Sequence, residues 1–312
     1  MERAFQLKTL ITGGSGFIGQ AFATLLLDLG KSVVIVDRNN LTNDHLKNSS
    51  RVNFFKIDCN DYFILKKIVQ ENNVSEIVHL AANSDIKSGS IDSNPDFNDT
   101  LKTSLVISQI LKTCNIKSLF FSSSSAVFGI KNYPITESLN ELCYPISNYG
   151  WAKLASEMIL QNSSRNSGTR FLCFRFPNVV GPNPTHGVLF DLKNKLDLDP
   201  KTLAVLGNGT QTKPYIHIDD LAKIFVEFWF GHAAGVFNTG PNDVISVKEI
   251  VEIIISISGL SPEILWGKTN SGWEGDVPNY SFESNTKNVF ISKLDLNSRN
   301  AISTAVTQIW TK

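Results

Sequence analysis

The chain lacks an excess of charge of either sign and has no long apolar run. Its 312 residues carry 29 basic and 29 acidic side chains, so the formal net charge is zero. Nucleic acids and anionic membranes attract proteins through basic surfaces, so this balance argues against both as partners. The longest apolar stretches are far below the roughly 20 residues that a membrane-spanning helix needs.

Cysteine is also scarce. Cys59, Cys114, Cys143 and Cys173 are scattered along the chain, and no pair has the spacing of a metal site or of a redox motif. The first strand-like segment follows the N-terminus almost at once, without the basic and apolar pattern of a secretory signal. We therefore expect reduced thiols, no bound metal and a soluble protein of the cytoplasm.

The first half of the sequence alternates between two patterns. Apolar runs typical of strands lie at 7–12, 32–37, 52–58, 76–82, 118–125 and 169–176. Helical patterns lie at 18–29, 61–72, 96–114 and 149–163. Continuous apolar strands separated by helices predict a parallel sheet covered on both faces. The predicted fold class is α/β, a doubly wound (Rossmann) sheet that binds ligands beyond the carboxyl ends of its strands.

The alternation ends after Phe176, where prolines punctuate a loop-rich region. Helical patterns return near 187–196 and at 246–258, and only mixed short elements are expected after that. The segment 214–230 reads as a strand and a helix that rejoin the main domain. The predicted dinucleotide-binding domain is 1–176 together with 214–240, and the predicted smaller, discontinuous α/β substrate domain is 177–213 with 241–312.

A glycine-rich turn follows the first strand. Gly14, Gly16 and Gly19 satisfy G-x-G-x-x-G, and Gly13 precedes them. Such glycines allow a tight turn and a close backbone approach to a pyrophosphate. Phe17 and Ile18 open the following helix, whose free N–H groups attract phosphate. Glycine-rich turns also occur for structural reasons alone, but the strand–turn–helix context favours dinucleotide binding.

Asp37 ends the second strand, where a carboxylate accepts the hydroxyls of the adenosine ribose. The same charge repels a 2′-phosphate, so the sequence predicts NAD in preference to NADP. The neighbouring Arg38 leaves some room for NADP.

The segment NYGWAK places Tyr149 and Lys153 one helical turn apart on the same face. The lysine stem can simply pack along the ring, or the pair can be an acid and a base. A tyrosine takes a proton only if its pKa falls from about 10 towards neutrality. A nearby ammonium and an oxidised nicotinamide are cations that favour such a shift. Ser124 ends the fifth predicted strand, where hydroxyls meet a ligand, although the serines around it can equally cap the next turn.

Together these segments resemble the extended short-chain dehydrogenase/reductase family, in its nucleotide-sugar epimerase and dehydratase branch. The matching segments are TGGSGFIG, Asp37, IDCND, HLAA, SSSSAVFG, NYGWAK, RFPNVVGP and YIHIDDLA. The resemblance covers nearly the whole chain and is weakest near its end. It implies that Tyr149 is the base, Lys153 its partner and Ser124 the hydroxyl that shares the substrate proton.

The resemblance also implies further ligand contacts. Asp58 and Cys59 correspond to adenine contacts, Leu80, Ala81 and Ala82 to pyrophosphate and ribose contacts, Pro177 to a nicotinamide contact, and Ser125 and Asn178 to substrate contacts.

Three departures from the family pattern concern the substrate. The Asp-Glu pair that 4,6-dehydratases carry after the catalytic hydroxyl is Ser125-Ala126 here, which argues against dehydration. An arginine expected at the substrate diphosphate is Lys213, which has the charge but not the bidentate fork. A second expected arginine is Trp273, which can stack on a base or pack as core.

We therefore expect NAD-dependent oxidation of a ring hydroxyl, at C4 by resemblance, of a nucleotide-diphosphate sugar. The enzyme is then a 4-epimerase or a 4-dehydrogenase of surface-polysaccharide biosynthesis. One alternative is a stand-alone dehydrogenase or ketoreductase that releases a 4-keto sugar from a GDP-heptose or GDP-hexose. A more remote one is a non-catalytic NAD sensor.

The resemblance further implies a homodimer through the helices at 96–114 and 149–163. Their apolar positions, which intramolecular packing also explains, are Leu105, Leu111, Leu154, Met158 and Leu160.

Overall fold

A computed structural model describes residues 8–83, 89, 91–132, 134–136, 141–273, 275–283, 294 and 296–311. The strands are β1 (Lys8–Thr12), β2 (Val33–Asp37), β3 (Val52–Lys56), β4 (Val74–His79), β5 (Ser118–Ser124), β6 (Arg170–Phe176), β7 (Asn178–Val180), β8 (Thr202–Val205), β9 (Thr212–Lys213), β10 (Tyr215–His217), β11 (Gly235–Asn238), β12 (Ile245–Ser246) and β13 (Glu263–Trp266). The α-helices are α1 (Phe17–Asp28), α2 (Asp44–Lys47), α3 (Tyr62–Glu71), α4 (Lys102–Thr113), α5 (Asn148–Ser167), α6 (Val188–Leu198), α7 (Ile218–Phe230), α8 (Val247–Ser258) and α9 (Ser298–Trp310). A π-helix (Asp96–Leu101) runs directly into α4, and a 3₁₀ turn (Ser125–Phe128) follows β5.

Seven strands form one sheet in the order β11-β6-β5-β4-β1-β2-β3. Every neighbouring pair in it is parallel. From β1 the chain moves to β2 on one side and later to β4 on the other, so the β1/β4 edge is the topological switch point where such sheets bind ligands. The predicted doubly wound α/β fold is confirmed.

Helices cover both faces of this sheet. On one face Phe22 of α1 stacks on Phe225 of α7 at 4.3 Å, and Phe120 of β5 meets both rings edge-on. On the other face α3, α4 and α5 contribute the buried side chains Leu65, Ile107 and Leu160. Because neither face meets water, the strands are apolar at consecutive positions.

A separate apolar cluster lies under α6, α8 and α9. Leu192, Leu203, Ile254 and Ile302 are among its buried members. Helix α9 corrects the expectation of only short elements near the end of the chain. It forms because Asn297 caps its first turn and because Ile302 and Val306 are fully buried. The division of the chain into two domains at the predicted boundaries stays a prediction.

The segment 214–230 forms a strand and a helix with different neighbours. Helix α7 packs on α1 against the main sheet, whereas β10 pairs with β7 outside that sheet, with Tyr215 opposite Asn178. Over the described ranges, no helix is long and apolar enough to cross a membrane.

Candidate active site

The glycine turn lies between β1 and α1 and presses against the end of β4. Gly13 has φ +70°, and a Cβ at this position would lie 2.7 Å from the backbone nitrogen of Ala81. A Cβ on Gly19 would lie 2.3 Å from the carbonyl oxygen of Gly13. Gly16 is the N-cap of α1 and offers no side chain to the N–H groups of the first turn. The turn therefore presents backbone donors at a helix N-terminus, which suits a pyrophosphate.

The Asp37 carboxylate links this turn to the end of β2. One oxygen accepts from the Ser15 N–H at 2.9 Å and the other from the Asn39 N–H at 2.8 Å. These bonds fix the carboxylate beside the turn, the position expected for a group that binds the adenosine ribose.

A cavity of about 1190 Å³ opens along the carboxyl ends of β1, β2, β3 and β4. The predicted cofactor residues that line it are Gly13, Gly16, Phe17, Ile18, Gly19, Asp37, Asp58, Cys59, Leu80, Ala81 and Ala82. The sequence reasoning did not single out Ser15, Asn39, Asp99 or Thr103, which also line it. Asp99 and Thr103 lie on the π-helix and α4, where no motif marks them.

The predicted catalytic residues Ser124, Tyr149 and Lys153 lie close together near the end of β5. Ser122, on the same strand, lines the cavity. The Ser147 hydroxyl caps α5 by accepting from the Gly150 N–H at 3.1 Å, so Tyr149 lies in the first turn of the helix. Lys153 Nζ donates to the Ser122 carbonyl at 2.7 Å and lies 5.8 Å from the centre of the Tyr149 ring. Ser124 ends β5 close to Tyr149, and its hydroxyl lowers the pKa of Tyr149.

The pKa of Tyr149 moves in the direction opposite to the expectation. Although part of the side chain is exposed, burial raises the pKa of Tyr149 to about 12, and the charge of Asp96 adds to this rise. Only the hydrogen bond with Ser124 lowers it. The lysine that was expected to depress this pKa points its ammonium at the Ser122 carbonyl instead of at the phenol oxygen. The protein groups alone therefore keep Tyr149 protonated at neutral pH.

Lys153 is 2% exposed. Burial lowers the pKa of Lys153 to about 8, against the opposing effects of Cys173 and Glu157. Since this value lies above neutrality, the side chain is mainly an ammonium at pH 7, and a buried cation stands behind the Tyr149 ring.

A buried ion pair supports this helix and was missed by the sequence reasoning. Glu157 lies one turn after Lys153 and accepts from Arg175 Nη2 at 2.6 Å and from Arg175 Nε at 3.0 Å. Ser123 donates to the same carboxylate. The network joins α5 to the ends of β5 and β6 next to Ser124. The available signal was a glutamate on the inward face of α5, at helical spacing from Lys153.

The predicted substrate residues fall into two groups. Lys213 and Trp273 come together, since the Lys213 ammonium lies 5.3 Å from the Trp273 ring centre and pairs with the buried Asp276. Ser125 donates to the Tyr280 hydroxyl at 2.9 Å. Asp276 and Tyr280 were not foreseen.

The other predicted contacts lie along the strand ends. Asn178 is exposed at the start of β7, and Pro177 lies against Gly240. Tyr149, Lys153 and Pro177 are not among the residues that line the cofactor cavity.

A model of the NAD dependent epimerase/dehydratase family matches residues 9–238. The chain belongs to this family.

Several relatives share most of its length. The UDP-glucose 4-epimerase of Halalkalibacterium halodurans is 29% identical over 276 residues, which cover 81% of this chain and 81% of the relative. The UDP-glucuronate 4-epimerase of Thermodesulfobacterium geofontis is 26% identical over 260 residues, covering 80% of each. A solved UDP-galactose 4-epimerase superposes with a TM-score of 0.84 at 27% identity, covering 97% of this chain and 98% of the other.

As a member of this family the protein uses NAD, and the residues of the cavity fit that cofactor. The glycine turn allows the pyrophosphate a close approach to the backbone, and no side chain caps the N–H groups at the N-terminus of α1. Asp37 offers the ribose a fixed acceptor. No group of three or more histidine, cysteine or acidic side chains is arranged to hold a metal in the part of the chain that the structure describes.

Proposed function

We propose that the protein is a 4-epimerase of nucleotide-diphosphate sugars, with UDP as the nucleotide. The observation that carries this proposal is the meeting of Ser124, Tyr149 and Lys153 at the end of β5, two residues beyond Ser122, which lines the cofactor cavity. Two hydroxyls and a buried cation suit the removal of a proton from a sugar hydroxyl. The names of the relatives support position C4 and UDP, and they differ in the sugar.

The roles of the side chains follow from their contacts. Bound NAD supplies the acceptor for the C4 hydrogen and a positively charged ring that favours the phenolate form of Tyr149. Tyr149 takes the C4 hydroxyl proton and later returns it. Ser124, close to Tyr149, orients the C4 hydroxyl of the sugar. Lys153 contributes a fixed positive charge behind the ring.

The pair Lys213–Asp276 bears on the identity of the substrate. The lysine charge is already balanced by a carboxylate that is 4% exposed. A substrate diphosphate bound beside Lys213 would therefore contact an ion pair with no net charge and the indole of Trp273. Because Lys213 and Trp273 stand where the family pattern has arginines, a stand-alone 4-dehydrogenase acting on a GDP-sugar is the second candidate.

The test is turnover of a panel of UDP- and GDP-sugars, with products identified by NMR and NADH followed by absorbance. A 4-epimer formed without net NADH supports the proposal. A keto sugar formed together with NADH, one for one, supports the dehydrogenase. Cofactor binding without turnover of any sugar would overturn both and favour a sensor. A role in surface-polysaccharide biosynthesis and a cytoplasmic location stay predictions.

We also propose a homodimer through α4 and α5. Leu111 and Leu160 belong to the intramolecular core, whereas Leu105 and Met158 are 42% and 65% exposed. Trp151, on the same helix as Met158, is 45% exposed. A second copy of the chain would cover these apolar side chains.

A further inference from the structure

Arg38 and Asp99 form a bidentate ion pair at the adenosine end of the cofactor cavity. Arg38 Nη1 donates to Asp99 Oδ1 at 3.0 Å, and Nη2 donates to Oδ2 at 2.9 Å. Arg38 directly follows β2 and Asp99 lies in the π-helix, so the pair joins two separate elements. Both residues line the cavity. The planar fork of the guanidinium is matched to one carboxylate, the geometry in which such pairs are strongest.

Two other carboxylates near Arg38 are weaker partners for its guanidinium than Asp99. Asp37 and Asp58 also line the cavity, but both outer nitrogens of Arg38 are bonded to Asp99. The Asp37 oxygens already accept two backbone N–H groups. The pKa of Arg38 is raised mainly by its hydrogen bonds with Asp99, and the charge of Asp58 adds to this.

The pair matters because the two neighbouring residues favour different cofactors. A carboxylate at the end of the second strand binds the ribose hydroxyls of NAD, whereas an arginine nearby accommodates the 2′-phosphate of NADP. This chain has both in Asp37 and Arg38, so the sequence alone leaves NADP possible. The Arg38 side chain is 54% exposed, but its charge is balanced by Asp99 and both outer nitrogens are bonded to that carboxylate, so this face of the guanidinium is not free for a bidentate bond to a 2′-phosphate.

We propose that Asp99 is a positioning residue that sets cofactor specificity by holding Arg38 away from a 2′-phosphate. Asp99 acts through Arg38 and needs no contact with NAD. The inference rests on the cofactor site described above and is independent of the sugar substrate.

The test compares 5′-AMP with adenosine 2′,5′-bisphosphate, which differ only in the 2′-phosphate. Calorimetry on protein freed of bound nucleotide gives both dissociation constants. The unaltered protein should prefer 5′-AMP. Asp99→Asn should raise affinity for the bisphosphate about fivefold, because it frees the Arg38 fork, and should change affinity for 5′-AMP by less than about twofold. NAD and NADP should show the same shift in preference.

Three further variants separate this mechanism from a general change of charge. Arg38→Gln alone should leave the ratio of the two affinities nearly unchanged, because the arginine is already engaged. Arg38→Gln combined with Asp99→Asn should lose the gain. Asp28→Asn removes another carboxylate of the cavity, one that faces His45 at 3.1 Å, and should leave the ratio as it was.

The proposal is overturned by a ratio in Asp99→Asn that stays within about twofold of the original protein, since a freed charge-assisted bond must exceed this. It is also overturned if the double variant keeps the full gain, which would make the carboxylate a simple repulsive charge. Failure of NAD to displace 5′-AMP would overturn the placement of the cofactor itself.

Discussion

The ammonium of Lys153 donates a 2.7 Å hydrogen bond to the backbone carbonyl of Ser122, two residues before Ser124 on the same strand. This bond fastens the helix that carries Tyr149 to the strand that carries Ser124. The lysine is also stacked 5.0 Å from the centre of the Phe121 ring. These contacts hold the Lys153 ammonium at one position, so its positive charge is fixed within the site.

Tyr149→Phe should abolish most of the chemistry without unfolding the protein. Loss of one proton-transfer group typically lowers a rate by about 10²- to 10⁴-fold. Loss of the Tyr149 hydroxyl should cost at most about 1 kcal/mol of stability, the typical contribution of one hydrogen bond. Single-turnover NADH formation, NAD affinity and thermal unfolding measure the three quantities. Tyr144→Phe, at a tyrosine that is 65% exposed, is the matched control. Near-normal turnover by Tyr149→Phe would show that Tyr149 and Lys153 only pack against each other and do not transfer the proton.

Lys153→Met should reveal the cost of burying an ammonium. Between about pH 8 and pH 10.5 the unfolded chain keeps a proton on Lys153 that the folded protein has released. Stability contributed by this residue therefore rises with pH across that window, by about 3 kcal/mol for the full shift. Relative to Lys153→Met, the original protein should gain stability from pH 7.5 to pH 9.5 in urea titrations. Lys112→Met, which removes an exposed lysine of α4, serves as control, and equal slopes for all three proteins would contradict the prediction.

Glu157→Gln should destabilise the fold strongly. It leaves the Arg175 side chain, which is 17% exposed, without a charged partner, and breaking a buried pair from one side costs about 3–5 kcal/mol. Glu157→Leu combined with Arg175→Met should recover part of the loss, since no buried charge remains. Glu252→Gln, on the exposed side of α8, should change the free energy of unfolding little. A single variant as stable as the original protein would show that Arg175 finds another partner.

Met158→Asp should break the proposed dimer. A carboxylate in an apolar interface loses its water, and an obligate interface of at least about 2,000 Å² cannot close over it. Sedimentation equilibrium at micromolar concentration should show a dimer for the original protein and a monomer for the variant. Leu198→Asp, at a leucine that is 88% exposed on α6, should stay dimeric. A monomeric original protein would refute the proposal directly.

The sequence predicted the sheet well because its strands are buried on both faces. A run such as Val33–Val36 is apolar throughout, and the turns between strands and helices carry clear glycine and aspartate signals. Helix α9 was missed because serine, threonine and asparagine fill most of its surface. The side chains that secure it, Ile302 and Val306, are recognisable only once α8 lies against them.

The sequence predicted that Ser124, Tyr149 and Lys153 lie near one another, but it could not predict the electrostatics around them. Helical spacing places Lys153 beside Tyr149, yet it cannot show that the ammonium turns to the Ser122 carbonyl. The π-helix that carries Asp99 has no periodic signature in the sequence. The contact between Arg38 and Asp99 joins residues 61 positions apart, and only the fold reveals it.

The hydrogen bond from Ser125 to Tyr280 spans 155 residues. Ser125 is the immediate neighbour of the residue proposed to share the substrate proton, whereas Tyr280 lies close to Trp273 and Asp276 in sequence. We therefore expect a substitution that displaces Tyr280 to shift Ser125 as well, and with it the neighbouring Ser124. One hydrogen bond thus couples the position of the segment around residue 280 to the end of β5, so changes made to either segment are expected to move the other.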